Sequence, residues 1–185
     1  MPFKRYTELY HDVASATVDL LATQFFHNGE LSLVLSTAGD VLEASQWRGE
    51  IDAKGIERKP PNGGWDWDLL FRGQLKAPKK YCVSIKWNES LCGLLLGAIS
   101  KGSSVVSIQY LETSPDMTPL SGKIIPISVA FSALLGQRVN ASYLAVYGPH
   151  DAMAEIVTSD FGFKSIAPYG YRYTGNAPLY RPMAD

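Results

Sequence analysis

Three strand-like segments follow one another between Tyr81 and Thr113, and the turns between them are too short for anything but a reversal of the chain. Tyr81-Cys82-Val83-Ser84-Ile85-Lys86-Trp87 alternates in polarity as a half-buried strand does, and Asn88-Glu89-Ser90 turns it. Leu91 to Ile99 returns as a nearly all-apolar strand, and Lys101-Gly102-Ser103 turns again. Ser104 to Thr113 is a third strand, rich in Val, Ile and Tyr. Parallel neighbours need a crossover of a dozen residues or more, so these three segments predict an antiparallel meander.

After the meander the chain changes character. A polar loop, Ser114 to Ser121, leads to Gly122-Lys123-Ile124-Ile125 and then to a helix with Pro126 at its first position, where the missing N–H would be unpaired anyway. Ile127, Ala130, Phe131, Leu134 and Leu135 give that helix one apolar stripe, and Gly136 or Asn140 closes it. Ser142 to Tyr147 is a strand that must run beside the third strand across a right-handed connection. Gly148-Pro149-His150-Asp151 is a turn, with Asp151 as N-cap of a helix over Ala152 to Phe161 that Gly162 stops. Phe163 to Ala167 reads as a strand, and Pro178 to Arg181 as the last one. The fold class is therefore α/β (α+β), a mixed and mostly antiparallel central sheet flanked by helices.

The N-terminal third is less regular. Leu9, Tyr10, Val13, Ala16, Val18 and Leu21 recur at near-helical spacing, predicting a helix over Tyr6 to Gln24 that His27-Asn28-Gly29 ends. Leu31 to Leu35 alternates only partly, as a strand or another helical turn, and residues 41–57 show no clear period. Lys54 to Trp67, which contains Pro60-Pro61-Asn62-Gly63-Gly64, reads as a loop dividing the chain, and a short helix follows at Trp67 to Leu75. The 185 residues suit a single domain, 1–185.

Several classes of function find no support. The formal net charge is −1, without the basic face that phosphate neutralisation demands of a nucleic-acid binder. The densest basic run, Lys79-Lys80 beside Lys76, reads as a solvated loop before a strand. The start of the chain lacks an apolar h-region, and the longest apolar run, Leu91 to Ile99, falls far short of the ~20 residues a bilayer needs. The expectation is a cytoplasmic protein without a membrane partner. A tight turn at Asn88-Glu89 puts residue 95 or 96 opposite Cys82, leaving Cys92 about 10–13 Å along the partner strand, beyond the reach of a disulfide. Two free, largely buried thiols are expected. His11, His27 and His150 are too scattered for a helical metal motif and no cysteine pair has zinc spacing, so no metal is expected. Gly122-Lys123 is not an NTPase phosphate loop, since Met117 and Ile124 stand at its first glycine and its Ser/Thr, and no Gly-x-Ser-x-Gly elbow occurs.

The order strand, strand, strand, helix, strand, helix, strand resembles the core of the GNAT (N-acetyltransferase) superfamily, over roughly residues 67 to 182. The third strand ends in Leu111-Glu112-Thr113-Ser114-Pro115, similar to the family's strand that ends in an apolar residue, a spacer and proline. Asp160-Phe161-Gly162-Phe163-Lys164 is similar to the family's exit from its second helix. The resemblance implies acyl transfer from acetyl-CoA, or another acyl-CoA, to a small-molecule or protein amine, with a homodimer left open. It implies a divergent acceptor-side region at 1–66 and an acyl-CoA-binding core at 67–185. It also implies that the pantetheine arm lies along the third strand, at Leu111, Glu112 and Thr113.

A helix N-terminus leaves about four backbone N–H groups unpaired and carries positive partial charge, so a small-residue loop there can receive a diphosphate. Ser121, Gly122, Lys123, Ile124 and Ile125 are the candidates for this cradle. The family's phosphate loop reads Arg/Gln-x-x-Gly-x-Gly/Ala. Aligned on Gly122, this chain has Pro119 and Ile124 at the first and last of those positions. Thr158 stands where the family often has an acidic tyrosine. The candidate catalytic groups are Glu112 as general base, or else a solvent-facing strand end; Tyr147 as acid toward the leaving thiolate, or else an aromatic packed on the sheet; and His150 at the cleft mouth for proton transfer, or else an exposed turn residue. Ser107 and Gln109, on one face, are candidates to order a water. Trp65-Asp66-Trp67 touches an acceptor or staples a loop to the core. The alternative to an enzyme is a GNAT-like binding module that has lost catalysis.

Overall fold

A computed structural model describes residues 2–24, 30–60, 63–74, 77–165 and 178–183. Alternating strands and one-sided helices have to bury their apolar faces against one another, and here they do so around a six-stranded sheet in the order β1-β2-β3-β4-β5-β6. The elements are α1 (Pro2–Gln24), β1 (Leu31–Leu35), α2 (Ala38–Ser45), α3 (Trp67–Gln74), β2 (Lys80–Trp87), β3 (Ser90–Ile99), β4 (Val105–Thr113), α4 (Ile124–Arg138), β5 (Tyr143–Val146), α5 (Asp151–Phe161) and β6 (Leu179–Pro182). Strands β1 to β4 pair antiparallel, β5 runs parallel to β4, and β6 returns antiparallel to β5. The expected meander and its turn to a parallel neighbour are both present. Leu31–Leu35 resolves as a strand, because its pairing with β2 gives the partial alternation a sheet edge to sit on.

The sheet buries two faces. Tyr10, Val13 and Leu21 of α1 and Ile127, Phe131 and Leu135 of α4 pack with Met153 and Val157 of α5 on the first face. Val41, Ala44, Trp47 and Trp67, from α2, the turn after it and α3, pack on Cys82, Leu94 and Leu96 of the second. Helix α2 lies where the sequence shows no clear period. Its start is written in a capping box, Thr37 with Asp40, and Asp40 also holds Lys86 at 2.7 Å. The two cysteines are free and buried, and Cys82 sits opposite Leu96. Burial pushes the Cys82 thiol up to about 12 and also raises that of Cys92.

Some expectations are corrected. Helix α4 begins at Ile124, so Pro126 is its third residue; it is tolerated there because the whole first turn lacks N–H partners. His150, not Asp151, is the N-cap of α5. The strand expected at Phe163 to Ala167 is present only as a bridge from Lys164 to Tyr180, with Ile166 and Ala167 outside the described residues. The helix stop expected at 27–29 also lies outside them, as does Leu75.

One irregularity positions the site. Leu96 pairs with Tyr110 but Gly97 pairs with Ile108, so Gln109 is an extra residue in β4. The bulge reverses the alternation. Ser107 therefore shares the second face with Tyr110 and Glu112, is buried, and donates to the Ala98 carbonyl at 3.2 Å rather than facing a cleft beside Gln109. Opposite the bulge, a Cβ on Gly97 would collide with the Ser107 carbonyl and the Tyr81 ring. Gly97→Ala is expected to cost at least about 2 kcal/mol by overpacking, read as a lowered denaturant midpoint at unchanged m-value. An unaltered midpoint would show that the bulge tolerates a side chain.

Candidate functional site

Pairing between β4 and β5 covers Val105 to Ile108 only, and the last link is the Tyr147 amide donating to the Ile108 carbonyl at 2.9 Å. Beyond the bulge β4 runs on to Thr113 with β3 as its one strand partner among the described residues. The strands diverge into a slot lined by Trp65, Gln109, Tyr110, Leu111, Tyr147 and His150, with Met153 below. Its free volume is about 30 Å³, room for about two waters.

The slot gathers Leu111, Tyr147 and His150 of the expected site residues. Tyr147 is half-buried at the end of β5. At His150 the chain leaves Gly148, which has φ 51°, and enters α5, and the imidazole Nδ1 accepts the Met153 amide at 3.4 Å. Burial lowers the His150 pKa from its ordinary 6.5, Asp151 acts in the opposite sense, and Arg58 lowers it further. Thr158 is exposed on the outer face of α5, away from Met153 and Val157, which point inward.

Glu112 is neither solvent-facing nor open to the slot. It is 2% exposed, and both carboxylate oxygens are engaged by residues 64–67, before and at the start of α3. The Gly64 amide donates to Oε1 at 2.6 Å, the Trp67 indole to Oε2 at 2.6 Å, and the Trp65 amide to Oε2 at 3.4 Å. Gly63 and Gly64 both have positive φ, and a Cβ on Gly63 would stand 2.7 Å from Glu112 Oε1. Arg58 completes the strap: its guanidinium donates to Thr113 Oγ1 at 3.1 Å and faces Asp52 at 4.0 Å. Trp65-Asp66-Trp67 thus staples the loop. Trp67 is fully buried, Asp66 accepts the Leu69 amide at 3.0 Å, and Trp65 packs edge-on against Tyr110 at 5.1 Å. Sequence reasoning gave Arg58 no role; its signal is a lone arginine a few residues before a Gly-Gly pair.

The expected phosphate cradle is a turn closed on itself. The Ser121 amide donates to Thr118, the Lys123 amide donates to Leu120, and Ser121 Oγ accepts the Thr118 amide. The amides of Gly122, Ile124 and Ile125 have no acceptor among the described residues. Ile124 is buried with its side chain turned in against Gly93, so it does not fill the cradle, and a Cβ on Gly122 would meet open space. Ser121, Gly122 and Thr113 line a pocket of about 180 Å³ shared with Arg58, whereas Lys123 borders an apolar groove along α4 on the other side. Among the described residues no cluster of His, Cys, Asp or Glu could hold a metal, and no helix is long and apolar enough to cross a membrane.

No protein-family model matches the sequence, and no curated protein matches it. Solved structures do match the fold. An acetyltransferase of the GNAT family from Staphylococcus aureus Mu50 superposes with a TM-score of 0.59 at 13% identity, over 83% of this chain and 99% of that one. Spermidine N-acetyltransferase from Vibrio cholerae, in complex with CoA and spermine, gives 0.54 at 12% identity over 84% and 97%. RimJ from Mycobacterium smegmatis, in complex with CoA-disulfide, gives 0.54 at 14% identity over 82% and 81%.

Burial is the largest influence on Glu112 and holds its pKa above the ordinary 4.5, against the lowering by Gly64, Trp67, Trp65 and Arg58. The folded state therefore keeps this proton at higher pH than the unfolded chain. The contribution is complete below about pH 4.5 and is lost as the pH rises through the raised value. Glu112→Ala is expected to lower the unfolding free energy by about 2–4 kcal/mol by stranding buried donors. It should also remove that component of the pH dependence and speed amide exchange at 63–67. Denaturant titrations across the pH range, with hydrogen exchange, check it.

Proposed function

From the GNAT acetyltransferase fold of this chain, we propose that the protein transfers an acyl group from acetyl-CoA or another acyl-CoA to an amine, which a small molecule or a protein carries. The observation that carries the reading is the divergence of β4 from β5 after Ile108, on a strand whose end at Thr113 shares a pocket with Ser121 and Gly122. It leaves one backbone edge of β4, Gln109 to Thr113, without a strand partner among the described residues, and a half-buried edge of that kind calls for an external donor and acceptor. An amide-bearing pantetheine arm along Leu111 and Thr113 supplies both.

In this reading the amides of Gly122, Ile124 and Ile125, with Ser121 beside them, receive the diphosphate at the start of α4, and Lys123, on the other side of the helix end, adds charge only from a distance. The amine attacks the thioester carbon, and proximity in one slot supplies much of the rate. Tyr147 gives its proton to the departing thiolate. Glu112 anchors the strap. With its oxygens taken and its surface covered it does not act as base while the strap is shut, so the amine's proton leaves through the slot mouth. Two buried free thiols fit a reducing compartment, and the reading places the protein in the cytoplasm.

A second reading has its own observation. The slot holds about 30 Å³, and Pro126 takes one donor from the first turn of α4, as suits a GNAT-like module that binds without catalysis. Acetyl-CoA at 100 times its dissociation constant is expected to stabilise the protein by ~2.7 kcal/mol, read as a thermal shift. No shift with acetyl-CoA or longer acyl-CoAs removes the coenzyme from both readings. A shift without thiol release over a broad amine panel selects the module. For the enzyme, Tyr147→Phe is expected to cut the turnover of thiol release by about 100-fold at unchanged KM for acyl-CoA.

A further inference from the structure

The cap of α5 constrains the chemistry of the histidine that makes it. Nδ1 of His150 accepts the Met153 amide. A ring nitrogen that accepts carries no proton, so the neutral imidazole must carry its proton on Nε2. The backbone of His150 is extended, at φ −70° and ψ 162°, as an N-cap requires, so ring and helix end are held together. The positive end of the α5 dipole disfavours a second proton on the ring, and so do burial and the Arg58 guanidinium; Asp151 opposes them. The ring borders the slot together with Gln109, Leu111 and Tyr147, where β4 no longer pairs with β5.

We propose that His150 is a fixed hydrogen-bond donor, through Nε2–H, to the carbonyl oxygen of the acyl thioester, and neither the acid nor the base of the reaction. The ligand in this statement rests on the acyl-transfer reading; the state of the ring does not. As the amine nitrogen bonds to the thioester carbon, the carbonyl π pair moves onto oxygen, and a preorganised donor steadies that charge. When the tetrahedral species collapses the C–O double bond re-forms and the C–S bond breaks. The sulfur leaves with its electron pair and takes a proton from Tyr147, which the amine's surplus proton replaces by way of solvent. His150 ends as it began. A neutral imidazole suits the task, because an imidazolium would lose the directed geometry of the cap: its Nδ1–H would face the Met153 N–H.

Two measurements on the full-length protein test this. Long-range proton–nitrogen correlation on ¹⁵N-histidine protein, with the His150 signals assigned by their loss in His150→Ser, is expected to show a single Nε2–H tautomer. It should protonate only below the ordinary histidine range. A Nδ1–H tautomer, rapid exchange between the two, or protonation at the ordinary value overturns the proposal. The second measurement is thiol release by His150→Ser, which keeps a good cap but does not reach into the slot. The expectation is a fall in kcat of about 100-fold, with the melting temperature, the KM for acyl-CoA and the shape of the kcat–pH profile unchanged. A kcat within threefold of wild type, or a profile that loses an ionisation, overturns it. Absence of turnover in the wild type sinks the acyl-transfer reading and with it the ligand assigned here, while the spectrum still decides the state of the ring.

Discussion

The structure turns on a single extra residue in β4. Up to Ile108 that strand is hydrogen-bonded on both sides; after Gln109 it has β3 alone among the described residues. Backbone polar groups do not tolerate burial without partners, so a central strand can lose a neighbour only where water or a ligand takes its place. The bulge also swaps the faces of the residues after it. It points Leu111 toward the α4 side and Glu112 toward the α2–α3 side. Without that shift, Glu112 would lie on the face that α4 and α5 cover, where no strap reaches it.

That swap explains why a carboxylate is buried at all. A lone ionised group in an apolar layer is costly, and this one is surrounded by two backbone amides and an indole aimed at its oxygens, with a guanidinium nearby. The donors come from 64–67 and the guanidinium from Arg58, so the N-terminal third is bound to the end of β4 by charge-assisted hydrogen bonds as well as by apolar packing. The same segment sets Trp65 against Tyr110 as one wall of the slot. Closing the second face and narrowing the opening are therefore one event, because the residues that do the first are neighbours in sequence of the residue that does the second.

Elements with a strong period or punctuation were legible in the sequence. The meander, α1, α3, α5 and the parallel strand β5 carry alternation, stripes or turn residues that local physics reads directly, and turn length put residue 95 or 96 opposite Cys82, where Leu96 stands. What was not legible depends on two segments at once. The bulge at Gln109 is set by Gly97 on the neighbouring strand, and its effect was to invert the assignment of Ser107. Glu112 was legible as a general base or a solvent-facing strand end, and neither reading shows the strap that covers it, because that strap lies 48 residues earlier, at Gly64. Helix α2 hides its stripe in eight residues, too few to establish a period, although Thr37 and Asp40 spell its cap. Asp151 is the better N-cap by type, yet His150 takes the position, and that difference of one residue occupies a nitrogen of the imidazole.

The departures of the α4 loop from a glycine-rich cradle can be weighed in the same terms. Ile124 in place of a glycine does not obstruct the site, because its side chain packs inward on Gly93 and its amide stays available. Pro126 removes one directional donor but leaves the helix dipole intact, since the carbonyls and the remaining amides stay aligned. A net hydrogen bond is worth about 0.5–1.5 kcal/mol, so the loss of one weakens affinity by at most about tenfold. Affinity set by the dipole and by the open edge of β4 survives such a change. The composition of the loop therefore argues for a weaker grip on the coenzyme, and the narrowness of the slot, set by Trp65 and the strap rather than by the loop, is the more serious obstacle to turnover.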